Sequence, residues 1–166
     1  MPTTRTMTVS DSVVIAADPR QIWEQVADPT QMPRWSPENI GAKIEGGRPL
    51  TEGEIFHGRN RRGRGRWSTE CVVRHSVPGQ RFCFDVRGWG LGTPRGKFAV
   101  ARWDYAFDAV DGGTRVTETW SDGRKGWPDW AAAAFDKVAT GRSFAEFQRR
   151  NIATTLKQMK AELESA

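Results

Sequence analysis

The chain has 166 residues, a net charge of +5 and a pI near 9.7, a size that suits one domain with one core. Its two cysteines and two histidines exclude a disulfide scaffold and a cysteine-only zinc site. No apolar run approaches the roughly 20 residues that cross a bilayer, and the opening "MPTTRTMTVSDS" lacks the apolar stretch of a secretory leader, so the cytoplasm is the expected location.

In chain order, residues 1–6 are expected to be flexible and 7–16, "MTVSDSVVIA", to form a strand. Asp18-Pro19-Arg20-Gln21 then offers an N-cap, a first-turn proline and a capping-box partner. The short helix that follows has Ile22, Trp23 and Val26 on one side, and Asp28-Pro29 ends it before a second short turn through Met32–Pro37. Six strands come next: Ala42–Glu45, Glu54–Arg61, Arg66–Val77, Arg81–Arg87, Lys97–Asp108 and Thr114–Asp122. Gly and Pro turn signals separate them, as in an antiparallel meander.

After Trp127-Pro128, Asp129 is positioned to cap "WAAAAFDKVAT" and Gly141 to end it. Ser143 and Glu146 form a capping box for the last helix. There Ile152, Leu156, Met159 and Leu163 make one apolar stripe, which needs a sheet to cover. The fold class is therefore α+β, with about seven antiparallel strands, two short helices after the first strand and a long C-terminal helix.

Turn positions decide which side chains share a face of the sheet. An even-length turn at Val77–Gln80 sets Val73 opposite Phe84, Cys71 opposite Val86, His75 opposite Phe82 and Arg74 opposite Cys83. The same assumption at Arg62–Gly65 sets Asn60 against Trp67, Gly58 against Thr69 and Phe56 against Cys71. Asp111-Gly112 is a two-residue type I′ signal that pairs Phe107 with Val116, Tyr105 with Glu118 and Trp103 with Trp120. Cys71 then faces inward and Cys83 outward, so no disulfide is expected between them.

The stretch "NRRGRGRW" and its flank place five arginines between Arg59 and Arg66. The register turns Arg59, Arg61 and Arg66 to solvent, with Arg62 and Arg64 in the turn and His57 outward beside Glu70. No aromatic side chain is interleaved on that outer face for base stacking, so a solvated face is favoured over a nucleic-acid site.

This order of elements resembles the helix-grip fold of the START-like (SRPBCC) superfamily. "DSVVIAADPRQIWEQVADPTQMPRW" looks like the first strand and paired helices of its polyketide cyclase/dehydrase branch. "GEIFHGRNRRGRGRWSTECVV", "PGQRFCFDV" and "GGTRVTETW" look like its hairpins, and "NIATTLKQMKAELE" like its terminal helix. The resemblance implies a curved sheet wrapped around the last helix, with a cavity for lipids, sterols, polyketides or other apolar molecules.

The ligand-binding set expected from register and resemblance is Phe56, Asn60, Trp67, Thr69, Phe84, Trp103 and Trp120 from the sheet. Trp35, Trp89, Trp130 and Asn151 join it from the flanking segments. Apolar walls with a few polar groups suit a buried hydrophobic guest; a solid core whose polar groups satisfy one another is the competing expectation. Glu118, hydrogen-bonded to Tyr105, is the one inward carboxylate the register places, and an apolar setting would raise its pKa for acid–base work in a cyclisation or dehydration. A purely structural Glu–Tyr bond is the alternative.

"GWGLGTPRGKF" lacks the spacing of a phosphate loop, and His57 and His75 are assigned to opposite faces, so neither a metal nor a cofactor is expected. Residues 127–140 read either as a lid, with Trp130, Ala134 and Val138 on one face, or as a fixed packing helix. The expected partner is a hydrophobic small molecule, without nucleic acid and without stable membrane insertion.

Overall fold

The computed structural model describes residues 4–44, 47–94 and 96–165. Seven strands form one sheet in the order β1-β7-β6-β5-β4-β3-β2, with every neighbour antiparallel. They are β1 (Thr8–Ile15), β2 (Asn39–Lys43), β3 (Ile55–Arg62), β4 (Gly65–Val77), β5 (Arg81–Gly90), β6 (Gly96–Val110) and β7 (Gly113–Asp122). Helix α1 (Pro19–Val26) and a 3-10 turn (Pro29–Arg34) follow β1, while α2 (Asp129–Thr140) and α3 (Phe144–Glu164) follow β7. Among the described residues no helix is long and apolar enough to cross a membrane.

Local chemistry explains the helix ends. Asp18 Oδ1 accepts the Arg20 N–H, and Asp28 Oδ1 accepts the Thr30 N–H and hydroxyl, which satisfies donors the first turn cannot pair. Ser143 likewise accepts the Glu146 N–H at the start of α3, and Gly141 ends α2 at φ 77°, the left-handed conformation glycine adopts without strain. Asp129 does not cap α2, as the sequence suggested. Pro128 is the N-cap, and the Asp129 carboxylate accepts from the Thr4 N–H and hydroxyl and from Arg5 instead.

The expected strand at Ala42–Glu45 begins earlier, at Asn39, because a bulge between Asn39 and Gly41 lets it pair back to Asn60; Glu45 lies outside the described residues. Two hairpin registers are as expected. Asn60 faces Trp67, Gly58 faces Thr69 and Phe56 faces Cys71, while Phe107 faces Val116, Tyr105 faces Glu118 and Trp103 faces Trp120. The second turn, however, is not type I′: Gly112 has φ 86°, but Asp111 keeps a negative φ, whereas type I′ needs both positive.

In the β4–β5 hairpin, Val73 meets Phe84 and Cys71 meets Val86, but a bulge between Val73 and His75 breaks the alternation. His75 therefore pairs with Cys83 and Ser76 with Phe82, correcting the expected His75–Phe82 and Arg74–Cys83 pairs. One extra residue moves His75 to the outer face, so the two histidines share a face rather than opposing one another. Further shifts at Glu70/Cys71 and Val86/Gly88 add to the bending of the sheet around α3.

Ile152, Leu156, Met159 and Leu163 of α3 are all buried. Each contributes roughly 1.5–3 kcal/mol of gross transfer free energy by leaving water. They pack with Ile15, Ile22, Val26, Phe82, Phe107 and Val116 into one apolar cluster. Cys71 and Cys83 are free thiols. Cys83 is on the outer face as expected, yet it is buried there among Arg81, Arg102 and Asp104.

Candidate functional site

The first half of α3 does not close onto the sheet as the second half does. Phe144, Gln148, Asn151 and Thr155 fall at i, i+4, i+7 and i+11 and roof a cavity of about 430 Å³. Its floor is the concave face of the sheet: Phe56 and Asn60 from β3, Trp67 and Thr69 from β4, Phe84 and Trp89 from β5, Trp103 and Tyr105 from β6, and Trp120 from β7. Trp35 closes it from the segment after the 3-10 turn, and Phe135, Ala139 and Thr140 of α2 close the other side.

Alternation explains why these side chains converge, since inward residues face inward residues across each ladder; on β5 the irregularity between Val86 and Gly88 shifts the parity by one, so that Trp89 points inward together with Phe84. Phe56 and Phe84 meet edge to face at 5.2 Å, a stable arrangement of ring quadrupoles that stiffens the wall. Polar side chains interrupt the apolar wall, among them Ser36, Asn39, Asn60, Thr69, Gln148 and Asn151. Asn151 donates to Gln148, while its buried Oδ1 has no partner.

Of the expected binding residues, Trp35, Phe56, Asn60, Trp67, Thr69, Phe84, Trp89, Trp103, Trp120 and Asn151 all line the cavity. Trp130 does not: it is 76% exposed on the outer side of α2 with Ala134 and Val138, opposite the face that carries Phe135 and Ala139. The helix phase set by Asp136, buried against Arg124, turns that stripe outward.

Glu118 is fully buried behind Tyr105, whose hydroxyl donates to Oε1 at 2.9 Å; Oε2 has no partner. Tyr105 lines the cavity and Glu118 stands behind it. Burial pushes the Glu118 carboxyl up to about 8; the Tyr105 bond opposes this, and Asp11, opposite it on β1, adds to the rise. Asp11 is a second carboxylate on this face, which a reading of the β6–β7 hairpin alone does not find. Burial first and the Glu118 charge second also raise the Tyr105 hydroxyl well above its ordinary range.

Two arginines hold the cavity's open side. Arg62 does not sit in the hairpin turn, as expected. It is the last residue of β3, paired with Gly65, and its side chain turns inward. Its Nε donates to Glu38 at 2.6 Å and its Nη1 to the Ala139 carbonyl at 2.6 Å, while the guanidinium lies 4.1 Å from the Phe147 ring centroid and 5.2 Å from that of Trp67. It thus ties hairpin, α2 and α3 together. Burial raises the Glu38 carboxyl even though Arg62 pulls it down.

Arg124, 3% exposed, donates to both oxygens of Asp122 and to Asp136 at 2.8 Å. The other oxygen of Asp136 accepts the Phe144 N–H, so one carboxylate joins Arg124 to the start of α3. Phe144, Trp127 and Phe135 surround the guanidinium at 4.5, 5.4 and 5.8 Å. Arg124 does not stand out in a linear reading, and Arg62 stands out only as one of the hairpin's cluster of arginines, not as a cavity residue. The periodicity beginning at Phe144 is the signal that would have disclosed the α3 roof.

His57 lies 3.4 Å from Glu70, as the register implied, and His75 lies 3.8 Å from Glu52. No group of three His, Cys, Asp or Glu side chains is arranged to hold a metal among the described residues. Burial pushes the Cys71 thiol up to about 12 and the Cys83 thiol up to about 11, so neither is a ready nucleophile.

The sequence model of the family described as polyketide cyclase/dehydrase and lipid transport matches residues 6–164. The chain belongs to that family. A Polyketide_cyc-like member, Cgl2372 from Corynebacterium glutamicum, is 27% identical over 98% of this chain and 94% of its own, with a TM-score of 0.56. Ms6760 from Mycobacterium smegmatis is 20% identical, covers 100% of this chain and 96% of its own, and has a TM-score of 0.66. A START superfamily protein from the same organism is 14% identical over 96% and 99%, with a TM-score of 0.67. No curated protein matches the sequence. The fold of this family member is accordingly the START-like one, with the sheet wrapped around α3.

Proposed function

We propose that the protein binds a hydrophobic or aromatic small molecule, of lipid, sterol or polyketide type, in the cavity between the sheet and α3. The observation that carries this is the hollow itself. About 430 Å³ is walled mainly by aromatic and aliphatic side chains, within the roughly 300–1,000 Å³ range of small-molecule sites. Apolar walls supply affinity, and polar side chains in the lining such as Asn60, Thr69 and Gln148 offer groups that orient the guest.

The test is to extract gently purified protein with organic solvent and identify what it retains by mass spectrometry, beside a Thr69→Trp variant that fills the cavity. An apolar compound recovered from the wild type and absent from the variant is expected. Equal recovery from both would refute the assignment.

One observation supports a second reading, in which the family's cyclase or dehydratase chemistry occurs here. Tyr105 meets the cavity with a protonatable carboxyl directly behind it, so the Tyr105 hydroxyl would turn its proton to a substrate carbonyl while the protonated Glu118 carboxyl donates to the Tyr105 oxygen and replaces any proton that Tyr105 gives up. Glu118→Gln should then abolish turnover of a polyketide-type ketone while leaving its binding intact.

A further inference from the structure

Beside the hairpin residues that line the cavity stand cations the proposed binding does not use: Arg61 and Arg64 lie outside the lining, and Arg66 stands at its edge. Arg61, Arg64 and Arg66 are exposed, and their guanidinium groups have no hydrogen-bond or ion-pair partner among the described residues. The acids around this end are already engaged: Glu38 with Arg62, Asp122 and Asp136 with Arg124, and Asp129 with Thr4 and Arg5. The charge is therefore uncompensated locally.

An apolar rim lies beside it. Leu91, in the cavity wall, is 80% exposed, and Val138 is 90% exposed next to Ala139, the residue whose carbonyl Arg62 holds. Trp130 continues the outer stripe of α2, Lys137 is exposed beside Val138, and Trp89, Phe98 and Phe135 carry apolar surface into the opening. Large apolar side chains standing in water next to unpaired cations form an amphipathic edge. Such an edge fits the boundary between lipid headgroups and acyl chains, where apolar groups bury and cations meet anionic headgroups. Nucleic acid fits less well, because exposed Leu91 and Val138 gain nothing from phosphate and the outer hairpin face has no ring for a base to stack on.

We propose that the rim of the cavity docks reversibly on an anionic lipid surface. Trp130, Val138 and Leu91 enter the interface while Arg61, Arg64, Arg66 and Lys137 meet the headgroups, the arginines reaching round the two-residue turn on their long stems. This requires nothing of the cavity's own ligand. It would place the opening against a membrane, from which an apolar guest could enter without crossing water.

Flotation with phosphatidylcholine vesicles, with and without one part in three phosphatidylglycerol, tests it. The full chain should float only with the anionic vesicles and progressively less as salt rises. The Arg61→Gln/Arg64→Gln/Arg66→Gln variant should bind roughly a hundredfold more weakly, and Trp130→Ala/Val138→Ser should also lose binding while keeping the wild-type thermal midpoint. Wild type that stays with the lipid-free fraction, either variant floating like wild type, or a DNA oligonucleotide outcompeting the vesicles would overturn the proposal. Vesicle failure with a compound still retained in the cavity refutes docking alone; docking with an empty cavity refutes the ligand assignment alone.

Discussion

Replacing Glu118 by Gln should change stability in a way that depends on pH. In the folded protein the carboxyl titrates near 8 rather than 4.5, because it is buried with only the Tyr105 hydroxyl to stabilise its charge. Folding therefore takes up a proton between those two values. The stability this group supports is complete below pH 4.5 and is lost as pH rises toward 8, at up to about 1.4 kcal/mol per pH unit. Between pH 5 and pH 8 the accumulated loss is about 3 kcal/mol.

Gln cannot ionise. Its amide keeps the bond from Tyr105 but buries an extra donor, a cost of about 1–3 kcal/mol that does not vary with pH. Urea denaturation of both proteins at pH 5 and pH 8 separates these effects. The variant should be less stable than wild type at pH 5 and gain on it by about 3 kcal/mol at pH 8, since every other titrating group is common to both. A stability difference that is the same at both pH values would show that Glu118 ionises as a solvated carboxyl does, and the account of a dry pocket behind Tyr105 would fail.

Arg124→Met should cost about 3–5 kcal/mol, because Asp122 and Asp136 are left charged and buried. Faster hydrogen exchange in α2 and at Phe144 is expected, and adding Asp122→Asn and Asp136→Asn should recover much of the loss; no recovery would count against the charge argument. Arg62→Met should cost about 2 kcal/mol by stranding the Glu38 carboxylate. A double-mutant cycle with Glu38→Gln should give a coupling of at least about 0.5 kcal/mol, and strict additivity would mean the pair does not brace the opening.

The α1 cap at Asp18, the left-handed stop at Gly141, the Ser143 cap and the buried α3 stripe were all legible in the sequence, because each depends on residues within a few positions of one another. The pairing of Tyr105 with Glu118 was legible for the same reason: a two-residue turn sets the register locally, whatever its turn type. The β4–β5 hairpin shows where that logic stops. The bulge at Arg74 leaves no mark that a turn-counting argument can detect, and it moves His75 to the other face.

What the sequence alone determined was therefore a set of short-range matters: the order of elements, two hairpin registers, the helix ends and the aromatic content of one sheet face. Only the tertiary structure decided that the aromatic face borders a space rather than a second layer of side chains, because that depends on how far the first half of α3 stands from the sheet. It also turned Trp130 outward and brought Arg62 and Arg124 into the opening. Those outcomes come from contacts between residues distant in the chain, such as Glu38 with Arg62 and Arg124 with Asp136, and no local pattern of residue types encodes them.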